Sequence, residues 1–386
     1  MIHLTLSRIV PFAVFAILLG CQAQSRPPMI SGVGESIQPF IQKSEISGAV
    51  TCVVSKDGIA HLQATGLADI EKGEPMRTDH IMWIASMTKP ITAAAVLMLQ
   101  DEGKLSLDDP VSRFIPEFAN LKTPSGKPAN LTIRQILTHT SGLAEAPREQ
   151  EAAALTLADL IPSYLARPTS FEPGSKWQYC QSGINTAGRI VEVVSGKSLP
   201  EFFQQRLLGP MGMKDTTFYL TSEQARRLAK SYKLDNGKLV EADIFLLQGK
   251  DVTSRRHYPA ANGGLFSTAG DYARFCRMLL NQGTLEGRRY LSAAAVKQMA
   301  TIQTGDLKTG FTDGNGWGIG CCVVREPQGV TAMLSPGTFG HGGAYGTQAW
   351  IDPVKDRAYI LFVQRANFPN ADNSDVRKAF QEAAAR

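Results

Sequence analysis

Apolar residues recur along this chain with two different periods, and the switches between them mark out its elements. Gly48-Ala-Val-Thr-Cys-Val-Val-Ser55 and Ile59-Ala-His-Leu-Gln-Ala-Thr-Gly66 are strand-like runs separated by Lys56-Asp57-Gly58. Asp57-Gly58 supplies the positive φ of a tight turn, so the pair predicts a β-hairpin. From Ser86 to Glu102 the period lengthens: Ala93, Ala94, Leu97 and Leu99 lie among good helix formers, Pro90 falls in the first turn and Gly103 closes the segment. Ser86 therefore stands at a helix N-terminus. A second helix is predicted over Ser182 to Gly196, with Ile184, Ala187, Ile190, Val191 and Val194 on one stripe, and a third over Asp271 to Asn281. Shorter helical pieces cover Thr132 to Thr138 and Leu199 to Leu208. Toward the C-terminus the pattern returns to strand: Gly316 to Val324, Gly346 to Ile351 and Arg357 to Val363, with turns at Asp352-Pro353 and Lys355-Asp356, before a last helix from Ser374 to Ala385. The order β, α, β predicts an α/β (α+β) fold. Its sheet is drawn from both ends of the chain, about 30–90 and 300–386, around an α-rich insertion over about 91–299. No period of 20–50 residues signals a repeat architecture.

Composition adds limits to this picture. The 386 residues are 43% hydrophobic and 19% charged, which excludes collagen-like, coiled-coil and wholly disordered chains. Forty Lys and Arg against 35 Asp and Glu leave a net charge of +5, with no block of like charge, so nucleic acid is not an implied partner. The first twenty residues differ from the rest. Arg8 precedes the apolar run Ile9 to Leu19, too short to span a bilayer and of the length of a signal-peptide core. It ends in Leu18-Leu19-Gly20-Cys21, which resembles a bacterial lipobox. Residues 1–20 are thus expected to be a lipoprotein-type signal, Cys21 the lipidated residue and 21–29 a tether, placing an exported protein at a membrane surface, periplasmic or cell-surface. A plain secretion signal is the alternative. Cys52, Cys180, Cys276, Cys321 and Cys322 show no metal-ligand spacing and read as buried free thiols; no metal or cofactor is implied.

Three segments carry residues able to do chemistry. In Ser86-Met-Thr-Lys89, hydroxyl and amine share one helix face, so a neutral Lys89 can take the Ser86 proton while the helix N-terminus offers N–H groups to a developing oxyanion. The spacing alone fits equally a helix start with Ser as its cap. Tyr179, in Tyr179-Cys180-Gln181, is delivered just before a helix. As a phenolate base it would need a nearby cation such as Lys89, and otherwise it is a packing residue. Phe339-Gly-His-Gly-Gly-Ala-Tyr-Gly346 lies next to a strand. Its glycines admit close approach and leave the Gly343 and Ala344 N–H groups as donors, while His341 is either a donor to substrate or a satisfied core histidine. His139, in Leu137-Thr-His-Thr-Ser-Gly142, reads as a loop organiser. No G-x-S-x-G, G-x-x-x-x-G-K-[ST] or H-E-x-x-H occurs.

Taken in this order, the Ser-x-x-Lys, Tyr and Gly-rich segments resemble the serine β-lactamase and penicillin-binding protein superfamily, in its class C β-lactamase and family VIII esterase branch. Leu137-Thr-His-Thr-Ser-Gly-Leu143, Pro173-Gly174, Pro210-Met-Gly-Met213 with Thr216-Thr217, and Gly263-Gly-Leu-Phe-Ser-Thr-Ala269 extend the resemblance over nearly the whole chain. It implies an antiparallel sheet flanked by helices. It also implies Ser86 as acylated nucleophile, Lys89 and Tyr179 handling its proton, Ser86 and Ala344 N–H groups as the oxyanion hole, and Gln181, His341, Gly342 and Gly343 toward the substrate. Two positions depart from the pattern: Lys-Thr-Gly is replaced by His341-Gly342-Gly343, and Tyr-x-Asn by Tyr179-Cys180-Gln181. The first loses a cation and a hydroxyl that would hold a substrate carboxylate, as found in β-lactams and D-Ala-D-Ala peptides. The expectation is an esterase-like serine hydrolase of small-molecule or peptide substrates. Penicillin-binding carboxypeptidase or β-lactamase activity is the second reading, and a penicillin-recognising module without turnover the third.

Overall fold

The computed structural model describes residue 1 and residues 30–386; the expected signal, the tether and Cys21 lie outside the described residues. The hairpin forms as predicted, with β1 (Gly48–Val54) and β2 (Ile59–Asp69) closed by Ser55 N–H donating to Gly58 O. Glu74–Pro75 (β3) adds an edge. From the other end of the chain come β4 (Asn315–Trp317), β5 (Cys322–Val324), β6 (Phe339–Gly342), β7 (Gln348–Asp352) and β8 (Arg357–Val363). Together they make one antiparallel eight-stranded sheet in the order β4-β5-β6-β7-β8-β1-β2-β3. The two ends of the chain meet where β1 pairs with β8, from Ala49↔Val363 to Val54↔Ala358.

β1 is buried along its whole length, which explains its near-continuous apolar run, broken only by Thr51. Its residues nonetheless alternate between two cores. Val50, Cys52 and Val54, with Ile360 and Phe362, pack against helices α1 (Thr88–Asp101), α2 (Gln181–Ser195) and α3 (Ala269–Leu280). Ala49 and Val53, with Tyr359 and Leu361, face Val376, Phe380 and Ala384 of the C-terminal helix α4 (Asp375–Ala384). Three of the predicted helices have an end explained by a cap: Gly196, at φ +67°, closes α2, the Thr268 side chain accepts from Asp271 N–H to open α3, and the Ser374 side chain accepts from Arg377 N–H to open α4. α1 is buried almost all round, so its place is between sheet and helices and not on the surface.

Two strand expectations are corrected. The run Gly316 to Val324 is not one strand: the chain reverses at 318–321, where Gly318 N–H donates to Cys321 O, and pairs on itself as β4 and β5. The Gly-rich segment is not merely beside a strand, because Phe339–Gly342 is itself β6, while the following strand starts at Gln348.

Candidate active site

The chain enters the site through the short strand Met82–Trp83, pinned to Phe266–Ser267, and then turns at Ala85 with φ +46°. A non-glycine residue there is strained, and the surroundings hold it. Ile84 N–H donates to Leu265 O, the Thr88 hydroxyl to Ala85 O and the Tyr272 hydroxyl to Met87 O. The 3-10 turn Ala85–Met87 then leads into α1 and presents Ser86 at its start. One turn on, Lys89 is fully buried, and its Nζ donates to Ser86 Oγ (2.9 Å), Gln181 Oε1 (2.9 Å) and Asn262 O (2.7 Å). Burial disfavours the ammonium and lowers the Lys89 pKa to about 7, against the smaller opposing pull of Glu145 and Asp372.

The second wall comes from the segment before α2. Gln178 N–H donates to His139 O and Cys180 N–H to His139 Nδ1, which fixes the extended chain on both sides of Tyr179. His139, at φ +61° and fully buried, is a loop organiser as its sequence context predicts. The Tyr179 hydroxyl donates to Ser86 Oγ (2.8 Å), and its ring lies 4.7 Å from Lys89 Nζ. The cation required for a phenolate is thus present. Burial outweighs it, however, and holds the phenol well above its ordinary value. Tyr179 is a neutral donor, which corrects the phenolate reading. Gln181 Oε1 receives both Lys89 Nζ and Asn262 Nδ2 (2.8 Å), so Gln181 positions the lysine.

The third wall is the end of β6. A side chain at 343 would collide with Thr347 Oγ1 and Ile84 O; only glycine lets this turn approach the backbone beside the nucleophile. Ser86, Gly342, Gly343 and Ala344 all line one cavity of about 500 Å³, and the Ala344 N–H has no protein acceptor among the described residues. His341 does not line it. The His341 side chain is buried behind the wall, with Nδ1 donating to Gly342 O (2.6 Å) and Nε2 facing the Tyr179 hydroxyl at 3.4 Å. Burial, then the Lys89 charge, lowers its pKa to about 3. The expectation that His341 meets the substrate is therefore corrected: it packs behind Tyr179, whose one hydroxyl proton goes to Ser86, because the strand turns its side chain away from the opening.

Seven contributors carried no local sequence signal. Asn262 closes the Lys89 cage from a position 173 residues away. Glu145 receives the Gln181 and Ser182 N–H groups (2.5 and 2.9 Å) and so caps α2, whose N-cap residue Cys180 makes no side-chain cap bond. Asp372 and Phe368 reach the cavity from the loop before α4. Trp83, Phe245 and Phe311 complete an aromatic lining. Among the described residues no group of three or more metal-ligating side chains converges.

With this geometry in place, the likenesses to known proteins are informative. The family profile described as Beta-lactamase matches residues 34–384. Protein Rv1367c of Mycobacterium tuberculosis is 35% identical over 364 residues, covering 87% of this chain and 90% of its own. Esterase EstB of Burkholderia gladioli is 30% identical over 356 residues, covering 84% and 88%. Among solved structures, EstCE1, described as a hydrolase with promiscuous acyltransferase activity, superposes with a TM-score of 0.80 at 25% identity over 92% of this chain and 97% of its own. A profile match over nearly the whole chain, a shared fold and the Ser-x-x-Lys and Tyr elements at one cavity have a single reading: the chain belongs to the beta-lactamase family.

Proposed function

We propose that the protein is a serine hydrolase that cleaves carboxylic esters through an acyl-enzyme on Ser86. The observation that carries this reading is the convergence of Lys89 Nζ and Tyr179 Oη on Ser86 Oγ, at 2.9 and 2.8 Å. Gln181 Oε1 and Asn262 O accept from Lys89 Nζ. A neutral lysine therefore uses its two N–H bonds on them and turns its lone pair to the Ser86 hydroxyl. With a pKa near 7 this form is well populated at neutral pH. As Ser86 Oγ attacks the ester carbonyl carbon, its proton passes to Lys89 Nζ and the carbonyl oxygen becomes an oxyanion held by the Ser86 and Ala344 N–H groups. Collapse breaks the bond to the leaving oxygen. That oxygen takes a proton from the Tyr179 hydroxyl, which is replenished from the Lys89 ammonium through a water. Water then attacks the acyl carbon by the same route in reverse, and Ser86 regains its proton.

Ester preference over anionic β-lactams and peptides is supported by the absence of a lysine at 341 and of a hydroxyl at 342. A charge-assisted contact of that kind is worth about 1.5–3 kcal/mol. The test is purified Ser86→Ala beside wild type, with short-chain p-nitrophenyl esters, a fluorescent phosphonate and a fluorescent penicillin in parallel. Wild type is expected to turn over the esters and take the phosphonate, and the variant to do neither. Penicillin labelling without ester turnover would favour the penicillin-binding reading instead. We further propose that the chain is exported and anchored through lipid on Cys21, on the strength of the Leu18-Leu19-Gly20-Cys21 sequence after an apolar run.

A further inference from the structure

Position 342 lacks a side chain for a specific reason. A Cβ built there would lie 1.9 Å from Asp372 Oδ1 and 2.6 Å from Gln348 Nε2, so the carboxyl group of Asp372, with the Gln348 amide behind it, occupies the space that a side chain at 342 would fill. Asp372 is held there by buried partners. Gln348, fully buried, donates from Nε2 to Asp372 Oδ1 (3.2 Å) and is itself fixed by Trp350 Nε1 on its Oε1 (2.9 Å). Buried Arg377 donates to Asp372 O (2.5 Å), and the Asn370 side chain accepts from Asp372 N–H (3.0 Å). Asp372 Oδ2 has no protein partner among the described residues, Asp372 is in no ion pair among them, and it lines the same cavity as Ser86. The cavity's other charges, Arg148 and Glu151, lie on one short helix (Arg148–Ala153) and offset each other. Burial raises the Asp372 pKa while Arg377, Gln348 and Lys89 oppose the rise; both cations are buried outside the lining and donate to acceptors other than its carboxylate, so within the cavity, which Trp83, Phe245, Phe311 and Phe368 also line, Asp372 has no ion-pair partner.

We propose that Asp372 is a specificity-determining residue: its carboxylate, standing where a side chain at 342 would be, makes the cavity reject substrates with an anionic acyl or leaving group and accept neutral and cationic ones. This rests on the ester-hydrolase reading of Ser86 and names the charge class of its substrates. A carboxylate facing a substrate carboxylate across a partly desolvated cavity repels it, and an aromatic wall adds attraction for a quaternary ammonium group. The absence of a lysine at 341 only withdraws an attraction, whereas Asp372 supplies a repulsion.

Three p-nitrophenyl esters of matched length test this: the 4-(trimethylammonio)butyrate, its uncharged isostere the 5,5-dimethylhexanoate, and the adipate half-ester. Wild type is expected to rank them by kcat/KM with the cation first, or level with the neutral ester, and the anion last. Asp372→Asn keeps an acceptor for Gln348 and removes the charge, and should lower the cation-to-anion ratio by about tenfold. Asp372→Ser, which is smaller, serves as a second variant should the amide disturb the fold. A wild type that prefers the adipate, or a ratio that stays fixed in both variants, overturns the proposal. Ser86→Ala separates the two claims. If it still hydrolyses the neutral ester the nucleophile assignment falls, whereas a loss of turnover with an unmoved charge ratio removes only the role of Asp372.

Discussion

At the residue scale the site depends on how far burial moves each proton. Lys89, lowered to about 7, is a base whose active form is the deprotonated one, so kcat/KM for a neutral ester should rise with pH along a single ionisation centred near 7 and then level off. Tyr179 is held well above 10, so no loss from phenol ionisation is expected below that value. His341, at about 3, contributes nothing to the profile in the working range. A profile that falls through pH 7 would contradict the assignment of Lys89 as base. Tyr179→Phe keeps ring and packing but removes the donor to Ser86, and should lower the acylation rate by about 10²–10⁴-fold with little change in affinity. Because Lys89 and Tyr179 serve the same oxygen, combining Tyr179→Phe with Lys89→Ala should cost scarcely more than the worse single change; strictly multiplicative losses would show that they act apart. Gly342 offers a test with no substrate at all. Gly342→Ser should destabilise the fold by about 1–3 kcal/mol through overlap with Asp372 Oδ1 and the Gln348 amide, and Asp372→Ala in the same chain should restore part of the melting temperature, the Gln348 overlap remaining.

At the element scale, α1 and α2 meet at the site with their N-termini, and each end is completed by something outside the helix. α1 begins beneath a strained Ala85 that neighbouring elements hold in place. α2 begins under the carboxylate of Glu145, which takes two of its free N–H groups and favours the positive end of the helix dipole. Glu145→Ala should cost about 1–2 kcal/mol in chemical denaturation, in the range measured for lost caps. It should also lower the Lys89 pKa further, since the largest raising contribution is gone, moving the rise in the pH profile to lower pH. Retention of both stability and profile would show that the cap is dispensable. β6 is the third such element: its residues alternate, so His341 turns inward to Tyr179 while the turn after Gly342 supplies the wall.

At the scale of the whole molecule, one sheet made from both ends of the chain fixes three segments remote in sequence around one cavity. β1 and β8 close the sheet, and α1 runs through the core between it and α2. The expected lipid anchor belongs to this scale as well. Cys21→Ser should release the protein from membranes of its native host and change its electrophoretic mobility; unchanged fractionation would indicate simple secretion.

What the sequence by itself determined is what local chemistry can encode. The β1–β2 hairpin follows from Asp57-Gly58, the ends of α2 and α4 from Gly196 and Ser374, and the Ser86–Lys89 contact from the pitch of a helix. Tyr179 was legible because it precedes a strongly periodic helix, and Gln181 through the family resemblance. The tertiary structure alone decided the rest. The Asn262 carbonyl at Lys89, the Glu145 cap and the Asp372 carboxyl beside Gly342 join segments with no periodic or spacing relation. The Gly316 to Val324 run folded back on itself because a strand-like run does not say where it reverses. The proton balance was decided there too: an identical lysine, tyrosine or histidine in water would titrate near its ordinary value, and only the desolvation of a closed interior moves Lys89 down into use, Tyr179 up out of reach and His341 into silence.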